Sequence, residues 1–158
     1  MNIECGDCSD FVELTEHRFG DILDRHGFRP VKCSSDRGGR ECLFLVESDT
    51  SRMLFVRSDG ADNCTLGSLN AEFPEGGLHE EGESGWYHVV SLLQFKTGKK
   101  LLTRRRMDGF FEGKGDYFAW QAELLSDNAK TLFEMFSEDN EKSWKEEFLR
   151  YYRAMIGG

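Results

Sequence analysis

The chain lacks most of what assigns a function directly. Its longest unbroken apolar run is the five-residue Cys42–Val46, far short of the ~20 residues a bilayer-crossing helix needs. The opening ten residues, MNIECGDCSD, carry three acids and no apolar stretch, so no secretory leader is expected. Only two prolines occur in 158 residues, which excludes a proline-rich linker or a collagen-like repeat. Cysteine is sparse and odd in number, five in all, a count that reads as free thiols in a reduced, cytoplasmic protein. Bases are outnumbered, 20 against 29 acids, for a net charge of −9. Such a field repels duplex phosphates, so nucleic acid is not an expected partner. There is no GxSxG, HExxH, EF-hand loop or GxGxxG. Gly98-Lys99-Lys100 has neither the upstream glycine nor the downstream Ser/Thr of a phosphate-cradling loop. No cofactor is implied, and the balance leans away from catalysis.

What is present is enough to build a core. Hydrophobic residues make up 39% of the chain and aromatics 13%, too apolar for disorder. With no repeat or linker visible, one domain over residues 1–158 is expected. Asp10 followed by Glu13 resembles a capping box, and Gly27 with Pro30 makes a stop. Between them Phe11, Val12, Thr15, Phe19, Ile22 and Leu23 fall on one helical face. Phe28–Cys33, Cys42–Val46, Met53–Val56 and a run around Cys64-Thr65-Leu66 read as strands, with a loop over Ser34–Gly39 and turns at ESDTSR and Asp59-Gly60. Tight turns between consecutive strands imply an antiparallel meander, with CLFLV central and covered on both faces. Trp86–Lys96 suits either period, and the Gly98 stop favours a helix. From Asp116 the chain reads as helical, with Leu124, Leu125, Leu132, Met135 and Phe136 inward, and a last helix follows Asn140. The fold class is therefore α+β: an N-terminal helix, a meander of three to four strands, and C-terminal helices packed on the sheet.

Charge is the feature most open to a functional reading. The outer face of the first helix carries Glu13, His17, Asp21 and Asp24. Residues 71–85 hold five acids and no base, among them Glu72, Glu75, Glu80, Glu81 and Glu83. Together these make a candidate surface for another, basic protein, with Trp86 and Tyr87 beside the loop as aromatic anchors. Residues 96–106 (KTGKKLLTRRR) hold six bases and no acid; without them the remaining net charge is −15. Lys99, Lys100, Arg104, Arg105 and Arg106 are the alternative candidates, as an anion or phosphate contact on the concave side of the meander, or else as internal neutralisation of the acidic loop. Cys5-Gly6-Asp7-Cys8 has the spacing of half a zinc site or of a redox dithiol, but no second pair with ligand spacing accompanies it. Cys33, Cys42 and Cys64 read as small buried hydrophobes.

The Gly27-Phe28 stop, the ESD…RMLFVRSD hairpin and the WY…LL…TG segment, spanning Phe11 to Lys99, resemble a group of small bacterial α+β proteins of unassigned activity. The layout is also similar to that of acidic immunity proteins, which block toxins by surface complementarity. What this second resemblance implies is a non-catalytic inhibitor or immunity-type protein; neither resemblance carries site residues.

Overall fold

The computed structural model describes residues 3–75, 82 and 84–157. The chain runs α1 (Ser9–Arg25), β1 (Arg29–Asp36), β2 (Glu41–Glu47), β3 (Arg52–Ser58), β4 (Ala61–Gly67), β5 (Tyr87–His88), α2 (Val89–Thr97), α3 (Arg104–Phe111), α4 (Tyr117–Glu134) and α5 (Glu141–Gly157). The five strands form one antiparallel sheet in chain order. The α+β architecture is as expected, with the meander extended by the short β5.

α1 forms because its apolar residues recur at helical spacing, and those six, Phe11 to Leu23, are the ones it buries. Its start differs from the capping box. The helix begins at Ser9, Cys8 before it makes no side-chain cap, and Asp10 instead reaches Arg57 at 3.3 Å. At the other end Gly27 adopts φ 72°, which lets the Phe28 amide donate back to the Leu23 carbonyl at 2.9 Å and closes the helix. The loop expected from Ser34 is shorter than its composition suggests, because Ser34, Ser35 and Asp36 still pair with Leu43, Cys42 and Glu41.

Strand alternation sorts the sheet into two faces. Cys42, Phe44, Val46, Met53, Phe55, Cys64 and Leu66 join α1 and α4 in the main core. Phe19 sits edge-on to Phe55 with ring centroids 4.8 Å apart, and 4.9 Å from Phe118. On the other face Leu45 and Leu54 are covered by Ala71 and Trp86, with Phe73 packed alongside. β2, second in the order and flanked by β1 and β3 rather than central, is thus covered on both sides, which is why CLFLV has no polar alternation.

The ambiguous segment after Trp86 is both things in succession. Tyr87 and His88 pair with Leu66 and Thr65, and the helix starts at Val89. Gly98, at φ 71°, donates its amide to the Gln94 carbonyl and ends it. α3 is an element the sequence did not predict. Arg104-Arg105-Arg106 in a first turn opposes the helix dipole, and the helix is too short for a period to show. The available signal was Thr103, whose hydroxyl accepts from the Arg106 amide at 3.2 Å.

Candidate functional site

α1 is pinned at its start and at its middle, and the pinning divides the polar residues on and around it into two sets. Arg57 on β3 holds Asp62 on the neighbouring strand through two bonds, 2.7 and 3.0 Å, and also reaches Asp10. The Asp62 carboxylate raises the Arg57 pKa above its ordinary value. The same guanidinium lies 4.8 Å over the Phe11 ring, so one side chain fixes the start of α1 to the sheet. Arg18 donates to Asp116 at 2.8 Å and ties the middle of α1 to the start of α4. The Ala119 amide and Arg18 together hold Asp116 below the usual carboxylate range, against its partial desolvation. Glu13, His17, Asp21 and Asp24 all lie exposed on the outer face, as the helical spacing predicted. Among the described residues Glu13, Asp21 and Asp24 take part in no ion pair.

The rest of the expected acidic surface is distributed differently. Glu80, Glu81 and Glu83 lie outside the described residues. Glu72 is exposed, while Glu75 is taken by Lys32 at 2.6 Å. Trp86 and Tyr87 are not surface anchors: they are 2% and 0% exposed. Trp86 donates its indole N–H to the Glu72 carbonyl at 2.8 Å, and the Tyr87 hydroxyl donates to Glu141 at 2.6 Å. Tyr87 packs edge-on against Trp144 and Phe148. The C-terminal helix claims Tyr87, while Trp86 is buried against Leu45, Leu54 and Ala71 on the other face of the sheet.

The basic residues line the chain from α2 through α3. Lys99, Lys100, Arg104, Arg105 and Arg106 are all exposed. Arg106 stacks 4.7 Å over the Trp120 ring. The Gln94 side-chain oxygen accepts from both the Leu101 and Leu102 amides at 2.9 Å, which holds the linker into α3 against α2. With Leu102, Met107, Phe110 and Phe111, α3 forms one wall of an open groove of about 560 Å³, and Gly60 of the β3–β4 turn with Ala61 and Asp62 at the start of β4 form another. Phe111 is 83% exposed at its rim.

The cysteines depart furthest from expectation. Cys5 is bonded to Cys33 and Cys8 to Cys42, so four of the five thiols read as free or as simple core residues are paired. Cys64 alone is free, and burial pushes its thiol well above the ordinary value, which leaves it inert. With both disulfides in place, no group of three or more His, Cys, Asp or Glu among the described residues is arranged to hold a metal ion. None of the described helices is long and apolar enough to cross a membrane.

His88 precedes α2, and desolvation lowers its pKa from 6.5 to about 4. The unfolded chain therefore binds a proton between those values that the folded chain refuses, so stability is full above pH 6.5 and falls as pH drops toward 4. The full shift corresponds to about 3 kcal/mol, reduced to roughly 1–2 kcal/mol for a ring that keeps some solvent contact. Urea midpoints measured at about pH 7 and pH 4.5 should show this loss, and His88→Gln should flatten it. An unchanged pH slope in His88→Gln would contradict the assignment.

Comparison of the chain with family models, with curated proteins and with solved structures finds no match.

Proposed function

We propose that the protein is a non-catalytic protein-binding module, of the immunity or inhibitor type suggested by the resemblance of its layout to acidic immunity proteins. Its contact surface is the outer face of α1. The observation that carries this reading is the division of carboxylates on and around that helix. Asp10, Asp62 and Asp116 are consumed by Arg57 and Arg18, whereas Glu13, Asp21 and Asp24 stand exposed on the outer face. A helix seated by Phe11, Phe19 and Leu23, each 0% exposed, presents these charges at fixed spacing, so little order has to be gained on binding. Unscreened charge of one sign steers a basic partner and raises its association rate. A cytoplasmic location belongs to this reading on one condition, that the cysteines are held reduced there.

The test is capture at low and moderate salt by the wild type and by Glu13→Lys/Asp21→Lys/Asp24→Lys. The expected result is a basic partner recovered by the wild type, depleted at higher salt and lost in the triple variant. Equal recovery by both proteins would remove α1 from the interface. Because the three positions are exposed and unpaired, thermal stability should change little.

A second reading is favoured by one observation: Lys99, Lys100, Arg104 and Arg105 take part in no ion pair among the described residues, at the N-terminus of α3. That arrangement suits an anion. Phosphate compounds should then raise the melting temperature, and Arg105→Ala should abolish the rise; no rise in the wild type would eliminate this reading.

A further inference from the structure

The cysteine pairing brings together four side chains from three segments that the sequence keeps apart. Cys5 and Cys8 are one turn apart on the 3-10 turn Gly6–Cys8, where the Cys8 amide donates to the Cys5 carbonyl at 2.9 Å. Cys33 and Cys42 sit on neighbouring antiparallel strands. Cys33 lies opposite Phe44 and Cys42 opposite Ser35, so the two cysteines are diagonal neighbours on one face of the sheet. Each of the turn's cysteines faces one of the hairpin's, with Cα–Cα separations of 5.5 and 5.9 Å. The hairpin therefore supplies the second pair that the C-x2-C motif lacks. An eight-residue spacing hides it, because β-pairing rather than a helical or knuckle turn closes the distance.

The loops around this cluster are pressed together. Gly39, at φ 89°, leaves only 2.5 Å between an ideal Cβ position and the Asp7 carbonyl oxygen, so no larger residue fits there. Cys5, Cys8 and Cys42 are at most 4% exposed, and Cys33 is half-buried. The Cys8 and Cys42 sulfurs each lie 3.4 Å from a carbonyl oxygen, of Glu41 and of Gly39. Reduced thiols at these positions thus have acceptors for their protons without any rearrangement of the backbone.

We propose that, once its two disulfides are reduced, this cluster is a closed four-thiolate site for a single Zn2+, formed by Cys5, Cys8, Cys33 and Cys42. Each disulfide takes two electrons and two protons from a reducing dithiol, which closes to its own disulfide. The four thiols then release four protons to solvent as one Zn2+ binds, giving a centre of net charge −2. Tetrahedral Zn–S bonds of about 2.3 Å set the sulfurs about 3.8 Å apart, an opening that side-chain rotation supplies from the present Cα positions. Four thiolates with no open position make the site structural: metal and disulfides hold the N-terminal turn on the hairpin in turn, under reducing and oxidising conditions. The proposal is independent of recognition by α1: Cys5 and Cys8 precede the helix, and the cluster uses none of the outer-face residues Glu13, Asp21 and Asp24.

The full chain is reduced with a dithiol, desalted under inert gas and titrated with Co2+, then with Zn2+. The reduced wild type should take up one Co2+ per chain with an intense thiolate charge-transfer band, which one equivalent of Zn2+ abolishes. Air-oxidised protein and Cys33→Ser/Cys42→Ser should show no such band. If reduction alone unfolds the chain, metal should restore its circular dichroism. The proposal is overturned by a reduced wild type that develops no stoichiometric band, or by a double serine variant or oxidised protein that develops the same one.

Discussion

Cys8→Ser/Cys42→Ser, compared with the wild type under oxidising, metal-free conditions, is expected to lose roughly 3 kcal/mol of stability. The bond joins residues 34 apart in sequence, and closing a loop of that length in the unfolded chain lowers its entropy by an amount worth about 3.8 kcal/mol at room temperature. The Cys5–Cys33 bond, with a separation of 28, spans an overlapping loop. Part of the constraint therefore survives in the variant, which sets the expectation below the full value. Serine is the informative replacement here. Its hydroxyls meet the same Glu41 and Gly39 carbonyls that lie 3.4 Å from the sulfurs, so the loss reports the cross-link and not an orphaned polar group. For a chain of this length the shift in melting temperature is about 10 °C. A variant within about 0.5 kcal/mol of the wild type would show that the cross-link does not constrain the unfolded chain.

Gln121→Leu is expected to cost about 2–4 kcal/mol, more than most substitutions of similar volume. The reason lies in the sheet. β5 pairs only with Thr65 and Leu66, so the remainder of the outer edge of β4 has no strand beside it. Gln121 on α4, 0% exposed, fills that role with its side-chain amide. It accepts from the Cys64 amide at 2.7 Å and donates to the Asp62 carbonyl at 3.0 Å. These are the two groups on one edge that a neighbouring residue of a strand would satisfy. Leucine fills the space but leaves a buried N–H and a buried carbonyl unpaired. Gln121→Glu separates the two contacts: its carboxylate still accepts from Cys64 but cannot donate to Asp62, and it buries a charge. Its loss should therefore be as large near neutral pH and should shrink at acid pH as the carboxyl group protonates. Denaturant midpoints for both variants at two pH values decide this, and a Leu variant as stable as the wild type would refute the edge-capping role.

The contrast between what the sequence revealed and what it hid follows the range of the interactions. The buried face of α1 was legible to the residue because its six positions repeat every turn on one helix, and its outer face, Glu13 to Asp24, came with it, although the start of the helix did not. CLFLV was legible as an interior strand because burial on both faces removes alternation, though it is second of the five and not the central one. Local signals failed where a contact between distant segments decides the outcome. Asp10 looked like a cap, yet Arg57, 47 residues away, takes its carboxylate. Trp86 and Tyr87 looked like anchors beside a charged loop, yet α5 and the Ala71 segment enclose them. Cys33 and Cys42 looked like filler, since their meeting with Cys5 and Cys8 depends on hairpin register and on the seating of the N-terminal turn. Gln121 gave no signal at all, because its partners are backbone groups on a strand edge whose exposure depends on how short β5 is.

Recognition by the outer face of α1 is tested most directly by association kinetics between the protein and its captured partner across a range of salt concentrations. The wild-type association rate should fall steeply as salt rises. Glu13→Lys/Asp21→Lys/Asp24→Lys should begin at least tenfold slower at low salt and lose most of that salt dependence. Wild type and triple variant associating at the same rate in low salt would contradict the account.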